Sequence, residues 1–309
     1  MKCRKCQGRA AFNMRHHKLA LCQDHYLEWL EIQTARAIER YHMFGPEDRV
    51  LVAVSGGKDS LSLWDILLRA GYQAAGMYVN LGIDGGQGYS VKSLQKIEDF
   101  AQNHPKAVLH VVDIPETYGE SLPETARRKL RGRGKPCSVC GLIKRHEMNR
   151  IAQEHGYTVL ATGHNLDDEV AVLLSNVLHW QVGYLVRQSP VLEERSGLAR
   201  KVKPFCRLYE REGAAYAFMR GIDYIYDECP YVEGSTTLFY KELLNQLEKE
   251  APGSKLQFYL GLLRSRKQGL FALEADQVDL APCQECGQPT TAPDLCAFCR
   301  LWQPARKAA

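Results

Sequence analysis

Val50-Leu51-Val52-Ala53-Val54 running into Ser55-Gly56-Gly57-Lys58-Asp59-Ser60 decides the fold of this chain. Five apolar residues in a row are what a strand buried on both faces requires. The Gly-Gly that follows, with Leu61, Leu63, Ile66 and Leu67 after it, turns the chain sharply into a helix. That geometry makes a phosphate site. Two glycines let backbone N–H groups approach an oxyanion, the helix N-terminus carries partial positive charge, and Ser55, Lys58 and Ser60 add donors. The spacing is not that of the Walker loop, whose first glycine is missing here.

Outward from this centre, strand and helix alternate. A helix to about Arg69 precedes a strand Ala74–Val79, a helix carrying Leu94, Ile97 and Ala101 on one face, and strands Ala107–Val112 and Thr158–Thr162. Alternation of this kind predicts right-handed βαβ units and an α/β fold with a parallel sheet covered on both faces. Ligands in such sheets sit at the carboxyl ends of strands, which places Asn80, the Gly82–Gly88 loop and Asp113 near the phosphate site. Gly163-His164-Asn165-Leu166-Asp167-Asp168-Glu169 brings a second glycine turn and three carboxylates to a strand end. Those carboxylates suit Mg²⁺ on phosphate oxygens, and Asn165 or Asp167 equally suits a helix N-cap. Helices are expected at Val170–Val177, Tyr209–Met219, Ser235–Glu248 and Ser254–Lys267.

At 309 residues and 45% hydrophobic content, the chain is long enough for one large core with smaller modules around it. A net charge of +4 permits a polyanionic partner without demanding one. The opening Met-Lys-Cys-Arg-Lys-Cys has no apolar leader, and no stretch approaches the eighteen or so apolar residues of a membrane span, so a cytoplasmic protein with no membrane association is expected. Eleven cysteines in a reducing compartment point to metal or thiol chemistry instead of disulfides. Cys3-x2-Cys6 with Cys22-x2-His25, and Cys283-x2-Cys286 with Cys296-x2-Cys299, each offer four ligands in two knuckles, the pattern of a structural zinc. His16 and His17 compete for the fourth N-terminal position, and His25 is preferred because it repeats the knuckle spacing. A helix from Tyr26 to about Met43 leads from this module to the core.

From Glu124 to Lys135 the chain is strongly basic. Arg127, Arg128, Arg131 and Arg133, with Gly132 and Gly134 among them, read as a loop that neutralises phosphates, with a solvated helix end as the alternative. Pro136-Cys137-Ser138-Val139-Cys140 follows directly, with Cys206 and Cys229 far downstream. A C-x2-C pair here could be a zinc knuckle, a redox dithiol or part of an iron–sulfur site.

Ser-Gly-Gly-Lys-Asp-Ser is similar to the PP-loop of the N-type ATP pyrophosphatases, which cleave ATP between the α- and β-phosphates. The PP-loop, the two terminal zinc patterns, Cys137–Cys140, Gly163–Asp168 and Cys229 together resemble the tRNA 2-thiouridine synthetase family over essentially the whole chain. The resemblance implies an adenine nucleotide α-hydrolase-like core. ATP contacts would fall at Ala53, Ser55, Gly56, Gly57, Lys58, Asp59, Ser60, Val79 and Gly163, and Lys144 and Asp168 would be catalytic. A [4Fe–4S] cluster would be held by Cys137, Cys140 and Cys229, with Cys206 a bystander. The implied cofactors are ATP, Mg²⁺, the cluster and two Zn²⁺. The implied partners are tRNA and a small ubiquitin-like protein ending in a thiocarboxylate, and a homodimer is compatible with the resemblance.

On this resemblance the reaction is adenylation of uridine O2 and its replacement by sulfur, at T-loop 5-methyluridine (position 54) or alternatively at the wobble uridine (position 34). Persulfide chemistry on the same cysteines is the mechanistic rival. Two readings from other classes compete: an amide-forming ATP pyrophosphatase, which leaves the zinc patterns without a role, and a non-enzymatic zinc RNA-binding protein, which leaves Lys58, Asp59 and Asp168 idle. The expected organisation is a zinc finger at 1–26, a linking helix at 27–45, a catalytic domain at 46–275 and a zinc ribbon at 276–304.

Overall fold

The computed structural model describes residues 1–130, 136–195, 197–232, 234–269 and 280–303. Arg131, Arg133 and the expected boundaries at 275/276 and 304 lie outside them. A hairpin of β1 (Phe12–Met14) and β2 (Leu19–Leu21) runs into α1 (Gln23–Arg40). The core continues with β3 (Arg49–Ala53), α2 (Lys58–Arg69), β4 (Gln73–Asn80), α3 (Tyr89–Gln102), β5 (Leu109–Asp113), α4 (Ile114–Tyr118), α5 (Leu122–Leu130), α6 (Cys137–Glu154) and β6 (Val159–Thr162). After these come α7 (Leu166–Leu178), α8 (Val182–Arg187), β7 (Val191–Leu192), β8 (Arg200–Val202), α9 (Glu210–Arg220), α10 (Thr236–Glu250) and α11 (Ser254–Lys267). The chain ends in a short hairpin, β9 (Ala281–Pro282) with β10 (Pro289–Thr290), and α12 (Cys299–Trp302).

Six strands form one sheet in the order β5-β4-β3-β6-β8-β7, parallel throughout except for β7, which runs antiparallel to β8. Side chains alternate across it, as a pleated strand requires. Val50 and Val52 enter the core on one face while Leu51 enters the core on the other, and Val159 and Ala161 are split from Leu160 in the same way. The chain first winds outward from β3 through β4 to β5, then returns to lay β6 on the opposite side of β3. Ala53 therefore pairs with Met77 on one side and Thr162 on the other. A crevice opens where the winding reverses, at the carboxyl ends of β3 and β6.

The two terminal modules dock on opposite faces of this sheet. Cys3, Met14, Leu21 and Tyr26 belong to the core packed on Val50 and Val52, whereas Cys283, Cys296, Phe298 and Leu301 belong to the core packed on Leu51. Tyr26 donates its hydroxyl to the Glu212 carbonyl at 2.7 Å on one side. On the other, Phe298 stacks on His146 with ring centres 3.6 Å apart.

Several boundaries differ from the expected ones, for local reasons. The first helix begins at Gln23, so His25 sits in its first turn and module and helix are continuous; it stops at Arg40 because His42 turns left-handed at φ 50°. β5 starts at Leu109, since a turn bonded from Ala107 N to His104 O holds the preceding residues. The basic stretch from Glu124, expected as a loop, is helical as far as Leu130. Ser121 and Glu124 close a capping box at its start, with Ser121 N donating to Glu124 Oε2 at 2.7 Å.

Candidate active site

The PP-loop is folded around its own serines. Ser55 N donates to Ser60 Oγ at 3.1 Å, and Ser60 Oγ donates to the Gly57 carbonyl at 3.0 Å. No side chain caps α2 at Gly57, so the first N–H groups of that helix are left for an anion. Gly56 holds φ at 78°, and a Cβ on it would come within 2.8 Å of the Ser93 carbonyl oxygen. At the end of β6, a Cβ on Gly163 would lie 2.9 Å from Ser60 N. The two loops thus meet backbone to backbone, which only glycine permits.

A cavity of about 300 Å³ opens between them, lined by Ala53, Ser55, Asp59, Ser60, Val79, Lys144, Gly163 and Asp168 together with Met77, Tyr78, Met148 and His164. Phosphate donors thus meet an apolar wall suited to a purine ring. Gly56, Gly57 and Lys58, also expected as ATP contacts, are not in its lining; Lys58 lines a separate cavity with Glu210 and Lys255. Asn80 and Asp113 bond each other at 2.6 Å instead, with Asp113 capping α4. The glycine-rich loop beyond Asn80 gives its Gly86 and Gly88 N–H groups to Asp84, which leaves them unavailable as a phosphate cradle.

Electrostatics divide the three carboxylates at the start of α7. Asp167 is tied to the wholly buried Lys255 and accepts from Glu210 N at 2.8 Å; Glu169 pairs with Lys203 at 2.7 Å. Asp168 closes a capping box with Asn165 and reaches the cavity. It meets Lys241 of α10, whose Nζ lies 2.6 Å from Asp168 Oδ1 and 3.1 Å from Glu210 Oε2. Glu210 also holds Lys58 Nζ at 2.8 Å. Burial would raise the Glu210 carboxyl, but Lys241 and Lys58 outweigh it and bring it to about 2. Burial dominates at Asp59, and with Asp168 and Glu210 nearby it is pushed up to about 6 despite Lys58. Lys241 and Glu210 carry no motif, since they are helix residues far downstream in sequence, and only the fold joins them to the loop.

Cys137, Cys140 and Lys144 recur at intervals of three and four residues along α6, so they occupy one stripe of that helix. Cys137 Sγ faces the Tyr231 carbonyl at 3.8 Å, which draws the Cys229 loop to the start of α6. Burial raises the Cys140 thiol, Lys144 opposes that rise, and Cys229 and Cys137 add to it, so the three sulfurs share one electrostatic environment. Cys206 is wholly buried in the opposite core, and burial pushes its thiol up to about 12. Beside the cysteines a second cavity, of about 470 Å³, is lined by Gly82, Asp84, Ser121, Arg127, Pro136 and Tyr231. Arg128 points elsewhere: its guanidinium bonds Glu120 at 2.7 Å and the Leu301 carbonyl at 2.8 Å, clamping the C-terminal module.

Each terminal set brings its four ligand atoms within 4.8 Å of one another. Cys6 and Cys22 sulfurs are 3.8 Å apart, as are Cys283 and Cys299, and Cys286 and Cys296; His25 presents Nδ1 3.2 Å from Cys22 Sγ. A tetrahedron with Zn–S bonds of about 2.3 Å has edges of about 3.8 Å. Burial raises the Cys283 thiol, yet backbone N–H groups, among them those of Cys286 and Cys296, bring it to about 6, favouring the thiolate that a metal takes. His16 and His17 instead share Glu212 at 2.8 and 3.3 Å.

Residues 2–27 match the family described as "2-thiouridine synthetase TtuA, N-terminal LIM domain". Over its full length the chain is 49% identical to the tRNA-5-methyluridine(54) 2-sulfurtransferase of Thermus thermophilus, covering 93% of that protein, and 41% identical over 98% of its length to the enzyme of that name from Pyrococcus horikoshii, covering 94% of it. Among solved structures, the U34-tRNA thiolase NcsA from Methanococcus maripaludis with its [4Fe-4S] cluster superposes with a TM-score of 0.81 at 26% identity, over 97% of this chain and 95% of that one. With its PP-loop crevice, its cysteine-bearing helix and a full-length relationship at this level of identity, the chain belongs to the tRNA-5-methyluridine(54) 2-sulfurtransferase family.

Proposed function

We propose that this chain is an ATP-dependent tRNA 2-sulfurtransferase, converting 5-methyluridine at position 54 to its 2-thio form in the cytoplasm. The observation that carries the reading is the stripe of Cys137, Cys140 and Lys144 on α6. It sets two thiols about 6 and about 10 Å along one helix from a lysine that lines the PP-loop cavity. Identity of 49% to a position-54 enzyme, against 26% to a U34 thiolase, favours position 54 over the wobble uridine.

In this reading Ala53, Val79 and Gly163 seat the adenosine, and the Ser55–Ser60 loop takes the pyrophosphate at the N-terminus of α2. Asp168 would hold Mg²⁺ on the phosphate oxygens, carboxylate and phosphate being the ligands that ion prefers. The target base enters beside Arg127 and Tyr231, in the cavity next to the cysteines. Uridine O2 attacks the α-phosphorus, its N3 proton is lost, and pyrophosphate leaves. Lys58 and Lys144 stabilise the charge that gathers on the phosphoryl oxygens. Hydrosulfide then adds to C2 and the C2–O bond breaks, releasing AMP, with the S–H proton passing to N3.

Cys137, Cys140 and Cys229 fit a [4Fe–4S] cluster as donors, and such a cluster would supply an iron left without a protein ligand for sulfur delivery. The terminal sets fit two Zn²⁺ as structural ions. A small ubiquitin-like thiocarboxylate protein is the sulfur source that family membership suggests. Anaerobic incubation of tRNA with the chain, ATP, Mg²⁺ and sulfide, followed by mass spectrometry of the nucleosides and of mapped fragments, tests the reading. It expects 2-thio-5-methyluridine at position 54; thiolation at position 34 alone, or none, overturns it.

A further inference from the structure

A groove of about 570 Å³ lies between α1 and the Pro204–Leu208 segment, on the side of the helix that also carries His25 one turn before Trp29. Trp29, Arg36 and Arg40 line it from α1, His42 from just beyond that helix, Arg207 from the facing segment and His17 from the rim. Trp29, Gln33, Arg36 and Arg40 follow one another at intervals of four, three and four residues, so they form a single stripe. Glu39 is the one carboxylate in the lining, set against three guanidinium groups.

The pairing of these arginines sets them apart from those that hold the fold together. Arg69, Arg128, Arg150 and Arg220 each have a carboxylate at 2.7 to 3.0 Å. Among the described residues, Arg36, Arg40 and Arg207 form no ion pair, although Arg207 reaches the Tyr41 phenol. Three guanidinium groups without an ion-pair partner, against one carboxylate, give this concavity a positive potential. Trp29, stacked on Tyr26 at 6.0 Å, adds a fixed aromatic edge to the wall.

The groove is also mechanically tied to the active site. His17 borders it and shares Glu212 with His16, and Glu212 stands in the first turn of α9, two residues from the Glu210 that holds Lys58. A chain of contacts thus runs from the groove's rim at His17 through Glu212 to the helix turn that carries Glu210.

We propose that this groove is a binding site for the RNA sugar–phosphate backbone, in which Arg36, Arg40 and Arg207 take phosphates and Trp29 takes the face of an unstacked base or ribose. The combination favours RNA over an acidic protein because guanidinium groups beside a fixed indole match alternating phosphate and ring, which a carboxylate surface does not present. The proposal rests on tRNA being the substrate.

The test is binding of tRNA, by filter retention at several KCl concentrations, to wild type and to Arg36→Gln/Arg40→Gln/Arg207→Gln, with thiolation followed using inorganic sulfide so that no protein donor is present. Each lost phosphate contact removes about 0.7 to 0.9 from the log–log salt slope, so the triple variant is expected to lose about 2 and its KM for tRNA to rise at least tenfold. Arg69→Gln, whose arginine is paired, should match wild type. Should the triple variant fail to fold, Arg36→Gln/Arg40→Gln, both at exposed positions, is expected to lose about 1.5. An unchanged slope in a variant of a chain that does thiolate tRNA overturns the groove alone. In a parallel assay with a thiocarboxylated protein as sulfur donor, a defect seen there and not with sulfide overturns it in favour of a protein surface. A wild-type chain that neither binds nor thiolates tRNA overturns the functional reading, and the groove with it.

Discussion

Lys241 places its Nζ 2.6 Å from Asp168 Oδ1, and the same ammonium bonds Glu210 at 3.1 Å, completing a chain of alternating charge from Asp168 through Lys241, Glu210 and Lys58 to Asp59. In this arrangement Lys58, proposed to meet phosphate, and Asp168, proposed to face Mg²⁺, are both already paired. On the proposed function, nucleotide binding is expected to exchange these partners. Lys241→Met is expected to leave Asp168, Glu210 and Asp59 with one cation between them, lowering turnover on the order of 10-fold or more and raising the KM for ATP. Lys241→Arg should recover most of both. Pyrophosphate release measured against ATP concentration checks this, and a Met variant with wild-type kinetics would remove Lys241 from the site.

Lys58→Ala and Asp168→Ala should each cost at least a factor on the order of 10² in thiolation rate, as expected for losing a group that meets transition-state charge. Both side chains belong to the cleft and not to the hydrophobic core, so tRNA affinity and the circular dichroism spectrum are expected to stay near wild type.

Asp59 sets a pH-dependent cost. Its folded-state pKa of about 6 lies above the ordinary 3.8, so its ionised form opposes folding at neutral pH, and the opposition fades as pH falls from about 6 toward 4. Asp59→Asn should thus raise the melting temperature at pH 7.5 by a few degrees, roughly 1 kcal/mol or more, and by about half as much at pH 5. Catalysis should fall in the same variant. Calorimetry at the two pH values decides it, and an equal gain at both would locate the stabilisation elsewhere.

The cysteines separate two chemistries. Protein purified without oxygen is expected to be brown and to contain about four irons besides two zincs. Cys229→Ala should lose colour and activity together while keeping both zincs. Cys206→Ala, a small deletion in the opposite core, should lose only about 1 kcal/mol of stability. Full-rate thiolation from sulfide by iron-free protein would transfer Cys137 and Cys140 to persulfide chemistry.

Much of this architecture is legible in the residues themselves. The apolar run into Gly56-Gly57 announces the central strand, and strand–helix alternation announces the parallel sheet. Ligand spacing alone brings together Cys3, Cys6, Cys22 and His25. Ser121 and Glu124 already carry a capping-box signature, so the helix that replaces the expected basic loop had a local signal outweighed by the density of arginine. Partnerships between distant elements are not legible in this way. Nothing near Glu210 or Lys241 marks them as neighbours of Lys58 and Asp168, because their approach depends on how α9 and α10 pack across the sheet. Likewise, Asp167, Asp168 and Glu169 look equivalent in sequence, and only Lys255, Lys241 and Lys203 tell them apart.

The docking of the N-terminal module sets a timetable for biosynthesis. Its four ligands are complete once residue 25 has been made, so a metal can close the module while most of the chain is unmade. Its anchors on α9, however, lie far downstream: Gln23 donates to the Met219 carbonyl across a separation of 196 residues, and Tyr26 to that of Glu212 across 186. This module must then wait, with Leu21, Tyr26 and Leu30 still uncovered, until α9 has been made. Early metal capture shortens the exposure of unfolded chain but not of that apolar face, which makes the interval before α9 appears the stage at which the nascent protein most needs a chaperone.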